Sequence, residues 1–155
     1  MSLTEFFHVG IVVPDIDAGR ARFTELLGID WGPVMRTDLE VRDGEGNEFV
    51  VPNVICYSTT APHFELIEET PGTPWVCNEH SNLHHIGFFT EQLSADSGHF
   101  NASSCPLELM DGRGDGPPWV FAYHHDPLGV RLELVNEEMR SMMEAHMFRA
   151  PDRSG

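Results

Sequence analysis

The chain states one pattern twice. His8-Val9-Gly10-Ile11-Val12 returns as His85-Ile86-Gly87-Phe88-Phe89, and Phe64-Glu65-Leu66-Ile67-Glu68-Glu69 returns as Leu132-Glu133-Leu134-Val135-Asn136-Glu137. Internal repetition decides an architecture before any other signal, because it marks which residues occupy equivalent positions. Here those positions hold two imidazoles and two carboxylates. Side chains on a strand alternate between its faces. His8 therefore shares a face with Phe6, Gly10 and Val12, while Phe7, Val9, Ile11 and Val13 make a continuous apolar face suited to packing on a helix. Glu65 likewise opposes Phe64 and Leu66, His85 opposes His84, Ile86 and Phe88, and Glu133 opposes Leu132 and Leu134.

The punctuation between these runs predicts the elements. Residues 5 to 13 read as a strand ended by Pro14-Asp15, with Asp15 capping a helix that carries Ile16, Arg20, Phe23, Leu26 and Leu27 and stops at Gly28. Strand-like sequence follows from Trp31 to Leu66, broken by turn chemistry at Asp43 to Asn47 and at Pro52-Asn53. After the linker Thr70 to Pro74 the order restarts: a strand over 84 to 90, a short helix over 91 to 101, and strands near Leu107, over 119 to 124 and over 130 to 136. Asp126-Pro127-Leu128-Gly129 turns the last hairpin. Glu137 to Phe148, rich in methionine and good helix formers, predicts a terminal helix packed on the sheet. The expected fold is α+β: one domain over 1–155, with module one at 4–70, a linker at 71–81, module two at 82–137 and the helix and tail at 138–155.

Composition narrows the partners. A length of 155 residues allows one domain with a real core. A formal net charge of −16 argues against nucleic acid and anionic membrane surfaces, which attract basic footprints. Cys56, Cys77 and Cys105 are odd in number and form no CxxC pair, so a disulfide framework or thiolate zinc site is not expected. No apolar stretch reaches the roughly 20 residues of a spanning helix, and the N-terminus lacks signal-peptide character. The expectation is a cytoplasmic protein with a small-molecule substrate.

Together the His-Val-Gly-Ile start, the His84-His85-Ile86-Gly87-Phe88 restart and the Glu-Leu endings resemble the vicinal oxygen chelate superfamily, over about residues 5 to 137. That group includes glyoxalase I, methylmalonyl-CoA epimerase, extradiol dioxygenases and the bleomycin and fosfomycin resistance proteins. The resemblance implies two tandem βαβββ modules whose eight strands form a cupped mixed sheet around one divalent metal. It implies His8, Glu65, His85 and Glu133 as ligands, and a homodimer that covers the apolar edges of an open cup. The two-His, two-Glu set resembles bacterial glyoxalase I, whereas the epimerases have glutamine where Glu65 stands; Ser81 to Phe88 is closer to the epimerase motif. Such a donor set suits Zn, Ni, Co, Fe or Mn, and the absence of thiolates favours a catalytic site with open positions.

Two chemistries fit this reading. In the first, the protein is a metal-dependent isomerase, epimerase or lyase that removes a proton α to the carbonyl of a small carbonyl or thioester substrate, with Glu133 or Glu65 as base. The epimerases use a separate glutamate, for which Glu40, Glu45 and Glu48 are candidates. In the second, His8, His85 and Glu133 form the facial triad of an Fe(II) extradiol-type dioxygenase acting on a catechol. Tyr123-His124-His125-Asp126-Pro127-Leu128-Gly129 followed by Glu133 resembles the ring-cleaving signature, but no histidine stands near 114 to 116 where its upstream member falls. A third reading is a metal-free ligand-binding or resistance protein. Arg131, Tyr123 and His125 are the substrate-binding candidates, with His63 and His124 at the rim, His84 packed against a helix, and His80 and Asn82 on a linker over the cup.

Overall fold

The structure, a computed structural model, describes residues 2–112 and 115–150. The predicted order of elements occurs twice. β1 (Leu3–Val13), α1 (Ile16–Leu27), β2 (Met35–Asp43), β3 (Glu48–Tyr57) and β4 (His63–Glu68) are followed by β5 (Leu83–Thr90), α2 (Leu93–Ala102), β6 (Leu107–Asp111), β7 (Phe121–His125) and β8 (Arg131–Asn136). The strands hydrogen-bond in the order β1-β4-β3-β2-β6-β7-β8-β5 and the order closes, giving one mixed eight-stranded sheet. β1 pairs in parallel with β4, and β5 in parallel with β8. A closed order offers no open sheet edge, so the edge-covering argument for a dimer does not carry over. No helix among the described residues is long and apolar enough to cross a membrane.

Local chemistry explains the first crossover. The Asp15 carboxylate accepts from the Ala18 N–H at 2.7 Å and starts α1. Gly28, at φ 68°, returns its N–H to the Thr24 carbonyl at 2.9 Å and ends it, a left-handed cap that glycine adopts without steric cost. Pro52-Asn53 does not break the strand as predicted. Both lie within β3, ahead of the stretch Ile55 to Tyr57 that pairs with β4, where the missing proline donor takes nothing from that ladder. The terminal helix is also shorter than predicted. Glu137–Met139 is a 3-10 turn and α3 covers Arg140–His146, with Met143 and Met147 buried.

The chain divides into two compact units, which do not follow the sequence modules. One consists of His8–Thr37, Pro52–His84 and the chain from Ser141. In it Ile11 and Val13 of β1, Ile16 of α1, Trp31, Cys56 and Leu66 form the core, with Val9, Phe23 and Phe64 packed against them. The apolar face of β1 thus meets α1 as its alternation requires, which turns His8 the other way. The terminal segment sits close by: a side chain at Gly32 would stand 2.0 Å from the Met147 carbonyl oxygen, so only glycine admits this approach.

The other unit consists of the chain up to Phe7, Asp38–Val51 and His85–Arg140. Leu93 of α2, Met110, Ala122 and Leu134 make its core, with Phe100 and Leu107 alongside. His124, expected at the rim, is instead fully buried on the helix side of β7. Its Nδ1 lies 2.9 Å from the Cys105 carbonyl and must be the protonated nitrogen, so the Ser97 hydroxyl, 2.8 Å from Nε2, donates to it. The imidazole clamps α2 to the sheet.

Burial pushes the His124 pKa below its usual 6.5. The unfolded chain therefore takes up this proton first as pH falls, and the stability due to neutral His124 is complete above about 6.5 and is lost below it, towards the folded value. Ser97→Ala should lower the unfolding free energy by about 1–3 kcal/mol, by leaving Nε2 buried without its donor. Urea denaturation at pH 7.5 tests this, and an unchanged midpoint would show that the clamp contributes nothing. The midpoint of the unaltered protein should in addition fall as pH is lowered through 6.5.

Candidate metal centre

Parallel pairing brings the ends of a module together. β1 and β4 are aligned with His8 beside His63 and Gly10 beside Glu65, so His8 and Glu65 project from neighbouring strands on one face. Gly10 sets no side chain beside Glu65. His8 Nε2 stands 3.3 Å from Glu65 Oε2, and both residues are buried. Across the antiparallel β3–β4 pair, Tyr57 lies directly opposite Glu65 and donates its hydroxyl to Oε1 at 2.8 Å.

The second unit repeats this arrangement. β5 and β8 pair with Gly87 beside Glu133, and His85 Nε2 stands 3.3 Å from Glu133 Oε2. Tyr123 lies directly opposite Glu133 on β7, its ring 5.0 Å from the His85 ring. His8, Glu65, His85 and Glu133 are all buried, and their residue types could together hold a metal ion.

This donor set fits a divalent transition metal. Two ligands held about 2.0–2.1 Å from one ion at the tetrahedral angle stand ~3.4 Å apart, close to the 3.3 Å found in each His–Glu pair. Carboxylates removed from water also call for a compensating cation. Imidazole and carboxylate suit Zn, Ni, Co, Fe and Mn. The thiols stand apart from this chemistry. Cys56 lies in the α1-side core with its pKa pushed up to about 11 by burial, Cys105 is buried, and no disulfide forms.

The remaining sequence candidates take varied positions. Tyr123 and His125 on β7 face Glu133 and Arg131 on β8 in direct cross-strand pairs, so all four share one face. Arg131 makes a bidentate ion pair with Glu108, Nε to Oε2 at 2.6 Å and Nη2 to Oε1 at 2.8 Å, and His125 is exposed. His84 bonds through Nε2 to the Pro74 carbonyl at 2.8 Å, tying β5 to the linker where packing on a helix was expected. His63 is buried beside His8, its Nδ1–H donating to the Ser58 carbonyl at 2.6 Å, and is not a rim residue. His80 is exposed on the linker, and the Asn82 carboxamide accepts from the Asn78 N–H at 2.8 Å. Glu40, Glu45 and Glu48 are all exposed around the β2–β3 hairpin. Sequence reasoning missed Tyr57. A signal existed, since the chain has only two tyrosines and each stands opposite one of the two glutamates.

Solved structures with this architecture include a methylmalonyl-CoA epimerase in complex with methylmalonyl-CoA and NH4+, similar at TM-score 0.59 and 21% identity over 87% of this chain and 95% of that one. A variant of the Streptomyces coelicolor methylmalonyl-CoA epimerase in complex with 2-nitronate-propionyl-CoA gives TM-score 0.60 and 21% identity, covering 87% and 95%. The Mycobacterium tuberculosis methylmalonyl-CoA epimerase gives 0.59 and 17%, covering 90% and 93%. At these identities the likeness is one of fold. No curated protein matches the chain. A family model described as the Glyoxalase/Bleomycin resistance protein/Dioxygenase superfamily matches residues 7–123, from β1 into β7 and across the repeat. With its doubled βαβββ order and this match over most of its length, the chain belongs to that superfamily, the vicinal oxygen chelate group.

Proposed function

We propose that this chain is a divalent-metal-dependent isomerase, epimerase or lyase that removes a proton α to a carbonyl in a small carbonyl or thioester substrate, through an enolate or enediolate. The buried set of His8, Glu65, His85 and Glu133 carries this reading. Superfamily membership supports it, and the acyl-CoA complexes of the structural neighbours favour thioesters as one substrate class. A bound Zn, Ni, Co, Fe or Mn ion would supply Lewis acidity that polarises the substrate carbonyl.

The chain's own residues divide the remaining work. His8 and His85 would hold the ion through ring nitrogens. Glu65, with Oε1 engaged by Tyr57, serves as a ligand through Oε2. Glu133 is the proposed base, on the face of β8 that also carries Arg131. Tyr123, His125 and Arg131 are the proposed substrate contacts, since they share the face of Glu133. The Glu108 pair orients the Arg131 guanidinium. The homodimer implied by the resemblance belongs to this proposal as well; sedimentation at micromolar concentration that shows only monomer would reject it.

Replacing His85 with Ala should remove most of the metal, because an incomplete ligand set binds weakly. Full occupancy of that variant by elemental analysis would overturn the site. Glu133→Gln should retain metal yet slow proton removal by about 10²–10⁴-fold, since an amide ligates through oxygen but accepts no proton. Glu65→Gln should be milder. Deuterium exchange at the α position of a thioester or hydroxyketone, followed by NMR, reads both. Undiminished exchange in Glu133→Gln would remove it as base. Oxygen uptake with a catechol and no exchange would move the function to an Fe(II) dioxygenase.

A further inference from the structure

We infer that Tyr57 is a positioning residue for the metal centre, fixing which oxygen of Glu65 turns towards His8; the inference rests on the metal reading above. Tyr57 is 4% exposed and touches both members of its half-site. Its hydroxyl donates to Glu65 Oε1 at 2.8 Å, while Oε2 of the same carboxylate stands 3.3 Å from His8 Nε2. Its ring meets the His8 ring edge-on, with centroids 5.6 Å apart at 83°. One hydroxyl thus commits one carboxylate oxygen to the protein and leaves the other for the ion. Such a bond is charge-assisted and directional, and it selects ligation through a single oxygen.

Backbone and packing both hold the phenol in place. The register of β3 on β4 sets Tyr57 opposite Glu65, so the hydroxyl does not depend on a flexible loop. Behind it lies Phe148, 5.2 Å from the Tyr57 ring at 69°. Phe148 also stacks on His63 at 3.8 Å and 21°, and His63 is itself pinned to the Ser58 carbonyl. The chain after α3 therefore backs the phenol with a ring. The second unit places its tyrosine in the same way, with Tyr123 opposite Glu133 and against the His85 ring, so the doubled pattern is His, Glu and Tyr.

The test compares wild-type protein with Tyr57→Phe, which keeps the ring contacts and deletes only the hydroxyl. Both are stripped of metal and titrated with Co²⁺ and with Zn²⁺ by calorimetry, and the visible absorption of the Co²⁺ forms is recorded. Expected are a 10–100-fold weaker affinity for Tyr57→Phe and an altered Co²⁺ spectrum, as Glu65 is freed to rotate or bind through both oxygens. Unchanged affinity and spectrum would overturn the inference, and a lowered melting temperature of the metal-free variant on its own would reduce Tyr57 to a packing residue and overturn it equally. Wild-type protein that takes up neither metal would overturn the metal reading and this inference with it, an outcome told apart by the wild-type titration alone.

Discussion

Taking a carboxylate out of water costs several kcal/mol even after the protein relaxes, and this chain does so at both Glu65 and Glu133. Each glutamate is set against an imidazole nitrogen at 3.3 Å. Parallel strand pairing brings one imidazole and one carboxylate together within each half of the chain. Apolar side chains in the same positions would pack at lower cost, so this polar interior is a departure from core chemistry that points to a site.

The devices around the two glutamates are alike because the modules are alike. In each, a His-x-Gly strand runs parallel to a Glu-bearing strand, so that the glycine, two residues past the histidine, falls beside the carboxylate. In each, an antiparallel neighbour brings a tyrosine across from that glutamate. The motif His-x-Gly is thereby explained without reference to turns. Its glycine sits inside a strand, beside the glutamate of the parallel partner strand.

The four proposed ligands were legible because strand alternation and repetition gave independent reasons to place them on one face. Asp15 and Gly28 were legible for the same kind of reason, since capping chemistry is local. What stayed hidden depended on register or on distant partners. Tyr57 is eight positions before Glu65 while Tyr123 is ten before Glu133, so the loops of unequal length break the sequence alignment although the cross-strand pairing restores it. His124 and His125 look like a rim pair as neighbours. Alternation alone separates them, but only α2 reveals that Ser97 receives the buried one. Pro52 marked a turn by its residue type, yet lies in β3 before the stretch that pairs with β4.

The parallel pairing of the first and last strands in each module bears on how the protein folds. Parallel neighbours cannot be joined by a tight turn, and here the whole intervening helix and hairpin must be laid down before His8 meets Glu65 or His85 meets Glu133. The entropy of closing that long loop is spent before either pair exists, which makes these contacts late arrivals on any folding route. Neither pair can therefore survive in a chain whose module has opened. The two His–Glu contacts act as gauges of closure, and a ligand that binds them draws the population towards the fully wound chain by mass action.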